Sequence, residues 1–180
     1  MYEQISPFGP FFRNRRNSLN IGIWPFCVRI SMYPANLVRI EKGVQDPRLD
    51  IALKMVCGLD IMIVDFFTEF CDVIKLSLSQ KNAFIDNLST CDHLGSYNSL
   101  GLLFGDLLCH ARRQTGRTQK MLAETAGIHL RNLTKIENGA QIPRVMTAIR
   151  LVCATGCGVR NFFNNFEKWY KRDILLLKAV

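Results

Sequence analysis

The stretch "TQKMLAETAGIHLRNLTKIENG", residues 118–139, decides how this 180-residue chain folds. Thr118 offers a hydroxyl to the free backbone N–H groups of a helix that starts at Gln119. Met121, Leu122, Ala123 and Ala126 recur at helical spacing and make its inner face. Gly127 ends that helix, because glycine takes a left-handed turn that other residues reach at a cost. Ile128 re-enters the core, and a short helix from about His129 to Glu137 follows, with Leu133 and Ile136 inward. The small Ala123 lets the two helices cross closely.

Working outward, Leu100 to Gln114 carries apolar residues at 100, 103, 104, 107, 108 and 111, the spacing of one buried helix face. Downstream, Pro143 is expected to open a fourth helix with Ala148, Ile149 and Val152 inward. After Gly156 to Gly158, "VRNFFNNFEKWY" reads as a fifth helix. The segment is therefore five short helices with tight turns and no strand signal.

The peptide "IENGAQIP", 136–143, has a near twin, "IEKGVQDP", at 40–47. Sliding the chain by 96 residues without a gap aligns 17 identities over 63 positions, from Phe8 against Phe104 to Phe70 against Phe166. The sequence thus holds two copies of one module of about 65 residues, close to the smallest size that folds alone. The expected organisation is a first domain over 1–78, a linker over 79–98 and a second domain with a helical extension over 99–180. Residues 86–99, "DNLSTCDHLGSYNS", are rich in linker residues. An extended linker of that length spans up to about 45 Å. In the tail "EKWYKRDILLLKAV", Trp169, Ile174 and Leu177 either pack back or form a dimer seam.

Charge separates the copies. Residues 1–70 hold 8 basic and 7 acidic side chains, whereas residues 101–180 hold 13 and 5. The net +8 of the chain therefore lies in its last 80 residues, which favours a polyanionic partner. The most apolar run, Ile51 to Phe70, is broken by Lys54, Asp60, Asp65 and Glu69 and makes a poor membrane span. Seven cysteines without a regular framework suggest reduced thiols and a cytoplasmic protein. Cys153 and Cys157 have no histidine nearby, and Cys91 and His93 have no further ligands, so no metal or cofactor is expected. Paired carboxylates on one face and phosphate loops are missing too, so the sequence offers no active site and no enzyme is expected.

"TQKMLAETAGIHLRNLTKIENG" followed by Pro143 resembles the XRE family, the lambda-repressor-like or Cro/CI-type helix-turn-helix domains. The resemblance covers about 100–166 well and 8–70 more loosely. It implies an all-α fold of two five-helix helix-turn-helix domains in tandem, joined by a linker. It also implies a buried salt bridge from the first helix to the end of the third, which would join Arg112 to Glu137 and Arg16 to Glu41.

The function the resemblance implies is transcription regulation through sequence-specific binding of double-stranded DNA, of repressor type. The recognition helix would present His129, Leu130, Arg131, Asn132, Thr134 and Lys135 to base edges in the major groove. Arg131 suits guanine O6 and N7, and Leu130 suits a thymine methyl. The resemblance puts Gln119 and Asn138 on phosphates. Thr118 opens a helix whose N–H groups attract an anion. Arg144 would lie near the backbone or minor groove, and Arg117 and Lys120 add unspecific attraction.

The first copy keeps core residues at Phe26, Cys27, Met32, Leu37 and Ile40 but changes the contact face. Gly22 and Ile23 stand where Thr118 and Gln119 are, Trp24 and Pro25 replace Lys120 and Met121, and Ser31 replaces Gly127. Ile23 and Trp24 are expected to be exposed apolar groups. Two roles stay open for this copy: homodimerisation or binding a protein partner, and direct DNA contact through Asn36, Arg39 and Lys42, helped by Arg13 and Arg15. Alternatives for the whole chain are an antitoxin-like protein that regulates through a protein partner, and an interaction protein that never touches DNA.

Overall fold

The computed structural model describes residues 6–74 and 99–175, so the expected linker lies outside the described residues. Within them are ten α-helices and one closing π-helical turn. The first five are α1 (Phe8–Ser18), α2 (Ile23–Arg29), α3 (Pro34–Glu41), α4 (Leu49–Gly58) and α5 (Ile63–Val73). The second five are α6 (Leu100–Gln114), α7 (Gln119–Ala126), α8 (Leu130–Glu137), α9 (Val145–Thr155) and α10 (Val159–Trp169). The expected all-α class holds. Among the described residues the sole β feature is an isolated antiparallel bridge between Arg48 and Arg144.

The two sets repeat in detail. The first set has four residues at positive φ, all four recur in the second at the 96-residue offset, and the second adds Gly158 at φ 81°. Asn20 (φ 54°) matches Gly116 (67°), Ser31 (46°) matches Gly127 (66°), Gly43 (75°) matches Gly139 (71°), and Asp60 (57°) matches Gly156 (79°). The first set therefore makes the same turns with residues that adopt them less readily, above all Ser31.

The buried residues of the two sets join in one core. Phe8, Phe12, Phe26, Phe66, Phe67 and Phe70 are buried in the first. Phe8 meets Phe66 and Phe70 edge-on at 5.9 and 5.8 Å between ring centroids. The second buries Leu103, Phe104, Leu107, Leu133, Ile149, Val152, Phe162 and Phe166, with fewer phenylalanines and more aliphatic side chains.

Helix starts follow local chemistry. Ser99 Oγ accepts from Leu102 N at 3.3 Å at the head of α6, and Thr118 Oγ1 accepts from Met121 N at 3.2 Å at the head of α7. Gly22, at the equivalent position before α2, has no side chain to do this.

Two boundaries differ from expectation. His129 caps α8 from outside rather than beginning it. Pro143 does not open the fourth helix, because α9 begins at Val145 with Arg144 as its cap. The chain through Pro143 is held extended by a neighbour that a reading of one copy alone does not reveal. Pro143 O accepts from Leu49 N, and Pro47 O accepts from Val145 N, both at 2.9 Å. These two bonds exchange under the 96-residue offset, and the bridge between them joins Arg48 to its own counterpart.

The two sets are thus docked, not merely tethered. Helices α5 and α10 lie along each other, and Phe67 stacks on its counterpart Phe163 at 4.5 Å with 13° between the rings. Glu167, buried on α10, accepts from Val64 N at 3.0 Å in the first turn of α5, where a carboxylate is favoured by the free N–H groups. Arg160 reaches Asp65 across the same seam at 3.3 Å. At the end of α10, Trp169 is buried, as is Tyr170 just past it, and Tyr170 stacks on Phe166, so this part of the tail packs back. Ile174 and Leu177 fall outside the side chains that can be described.

Candidate nucleic-acid interface

The site is built on α7 and α8, and its foundation is the end of α8. Arg112 on α6 holds Glu137 in a bidentate pair, Nε to Oε1 at 2.7 Å and a terminal nitrogen to Oε2 at 3.1 Å. A second terminal nitrogen of Arg112 donates to Arg117 O at 2.9 Å, in the turn before α7. One guanidinium thereby fixes α6, that turn and the end of α8. Its hydrogen bond to Glu137 pushes the Arg112 pKa further up. Arg16 and Glu41 repeat the arrangement at 2.7 and 2.9 Å, with Arg16 also donating to Ile21 O.

Gly105 lets α6 come this close. A methyl group there would lie 2.3 Å from Ile136 O and 2.6 Å from Glu137 O, both at the end of α8. At its counterpart Gly9 a methyl would lie 1.7 Å from Ile40 O. Sequence reading missed this role, although the signal was present as the paired Phe-Gly at 8–9 and 104–105.

On this base α8 turns one flank out. His129, Leu130, Arg131, Asn132, Lys135 and Asn138 are exposed and Thr134 is half-buried, while Leu133, Ile136 and Glu137 face inward. Thr118 and Lys120 are exposed on the neighbouring edge of α7, and Arg117 and Gln119 are half-buried. Arg144 is exposed at the loop that meets the first set, where its guanidinium donates to Asp46 O. Among the described residues, Lys120, Arg131 and Lys135 take part in no ion pair. These three cations therefore stand without an ion-paired carboxylate.

Gln119 has a partner inside the protein. Its Nε2 donates to Glu137 Oε2 at 2.7 Å, which adds a third donor to the buried carboxylate. The first set has Ile23 at that position, and a cleft of about 330 Å³ lies there, lined by Arg13, Arg16, Ile23, Glu41 and Lys42 among others.

The face of the first set has another chemistry. Trp24, Val28 and Tyr33 are 71%, 73% and 80% exposed. Ile23, expected to be exposed, is instead half-buried against the core. Ala35 stands where α8 carries Arg131, but Asn36, Arg39 and Lys42 are exposed in the register of Asn132, Lys135 and Asn138. Arg15 is drawn toward Glu69 at 3.6 Å.

Other chemistry is sparse among the described residues. No group of three or more histidine, cysteine or acidic side chains is placed to hold a metal. No helix is long and apolar enough to cross a membrane. Burial pushes the Cys157 thiol up to about 11, and the hydrogen bond to Cys153 together with burial raises Cys71. Cys71 and Cys157 therefore favour the unreactive thiol over the thiolate, whereas the hydrogen bond to Cys71 lowers the Cys153 pKa against its burial.

Comparison with known families reaches the second set. Neither the curated proteins nor the solved structures gave a match. A family model described as Helix-turn-helix matches residues 110–162, which run from the last turns of α6 into α10 and take in the whole of α7, α8 and α9. The part of the chain that carries the exposed flank of α8 is thus similar to helix-turn-helix domains.

Proposed function

We propose that the protein is a transcription regulator of repressor type that binds double-stranded DNA in a sequence-specific way, with α8 as the recognition helix. One observation supports this most: α8 projects Arg131, Asn132 and Lys135 outward from a base locked by the Arg112–Glu137 pair. A rigid base matters because base reading depends on where donors stand within fractions of an ångström. Arg131 offers a planar fork for guanine O6 and N7, and Leu130, 45% exposed, offers a methyl-sized contact for thymine. The N-terminus of α7, with Thr118 and Lys120 beside it, sits where a phosphate would meet free N–H groups. Gln119 contributes here by holding Glu137, and its own phosphate contact is limited to what its remaining atoms reach.

The first set joins this reading as a second five-helix domain of the same design. Its exposed Asn36 and Arg39 make a weaker, secondary contact. Selecting bound sequences from a random duplex pool, at several salt concentrations, tests the reading. Enrichment of a common site, with affinity falling steeply as salt rises, is the expected result. Retention of no duplex at low salt would overturn it.

A further inference from the structure

The contacts between the two halves carry a consequence for how many chains sit on a DNA site. A residue that touches its own counterpart lies on a two-fold axis, since the operation that exchanges the halves must map the contact onto itself. Arg48 with Arg144 and Phe67 with Phe163 are such contacts, and the reciprocal 2.9 Å bonds of Leu49 and Val145 exchange in the same way. The chain therefore contains an internal pseudo-two-fold axis, and its two halves pack as two subunits of a symmetric dimer would.

That axis fixes where the two short helices stand. Helices α3 and α8 each end a few residues before the bridge at Arg48 and Arg144. Related by the two-fold, they flank the axis at the same height on opposite sides. A two-fold pair of recognition helices is the arrangement by which helix-turn-helix dimers meet two half-sites one helical turn apart. The exposed side chains differ, however. The α8 side offers Arg131, Asn132 and Lys135, and the α3 side offers Tyr33, Ala35, Asn36 and Arg39.

We propose that a single chain occupies both half-sites of an asymmetric duplex. The half under α8 would be read base by base. The half under α3 would be held by Arg39 and Lys42 on the backbone and by Tyr33 and Asn36 against a shorter set of bases. The surface that would otherwise recruit a second copy is already used inside the chain. This rests on the DNA-binding reading above and replaces the expected homodimer with one polypeptide.

The test uses the full chain and the duplex selected from the random pool. The complex is expected to contain one 20.6 kDa chain per duplex. The site should show one information-rich half and one poor half about one helical turn apart. Inserting five base pairs between them turns the halves to opposite faces and should weaken binding about tenfold or more, because a docked pair cannot follow. Arg39→Ala should lower affinity by about fivefold while leaving the preferred bases of the rich half unchanged. Two chains on a palindromic site, or full tolerance of the insertion, would overturn the single-chain proposal yet leave DNA binding standing. Loss of all salt-sensitive retention would overturn both.

Discussion

The two halves of this molecule share a skeleton and differ in skin. Both bury an arginine–glutamate pair 25 residues apart, both press a glycine of the first helix against the end of the third, and both turn at the same four left-handed positions. Their outer faces diverge. Thr118, Lys120 and Arg131 have Gly22, Trp24 and Ala35 as counterparts. The difference shows that residues which hold helices in place can persist while exposed residues change, since the two groups face opposite ways on the same short helices.

The largest expected effect tests the shared skeleton. Arg112→Ala leaves Glu137 buried with only Gln119 as a donor, and should cost about 3–5 kcal/mol in urea unfolding. Arg16→Ala should cost a comparable amount. A loss below about 1 kcal/mol in both would mean that these pairs do not anchor the helices.

Gly105→Ala comes next. The added methyl meets backbone oxygen rather than a movable side-chain end, so α6 and α8 must separate. A loss of about 1–3 kcal/mol is expected, with a drop in DNA affinity beyond what unfolding explains. Unchanged melting would show that the close approach has no structural role.

The smallest effect on stability runs the other way. Ser31 adopts φ 46° where Gly127 adopts 66°. Ser31→Gly should stabilise the chain by about 1 kcal/mol, less the entropy that glycine adds to the unfolded state. Gly127→Ser should destabilise by a similar amount. If both substitutions move the midpoint in the same direction, the two turns are not equivalent.

Much of this was legible in the sequence. The apolar spacing of α6, the Thr118 cap and Gly127 located the central helices, because each depends on chemistry within one turn. The 96-residue repeat transferred that reading to α1 through α5, where local signals such as Trp24-Pro25 or Ser31 are poor. The seam was not legible. Phe67 and Phe163 read as core residues in either copy, and nothing in an apolar side chain says whether its neighbour belongs to the same module. Pro143 was misplaced for a related reason. Proline suits a first helical turn, but here its carbonyl serves Leu49, a residue 94 positions away. Glu167 gave no signal at all, since Cys71 is its counterpart and the N-terminus of α5 it caps lies across the seam. On the candidate interface, spacing indicated which α8 residues face out. The inward turn of the Gln119 amide depended on the buried pair behind it.

The most direct test of the contrast between the halves is the base preference of Arg131→Ala, measured on the selected site and on all single-base variants of it. Reading by α8 predicts a loss of about 1–3 kcal/mol on the selected site and a flattened preference at one position, with the rest of the profile preserved. A uniform loss on every duplex, with preference intact at every position, would contradict it.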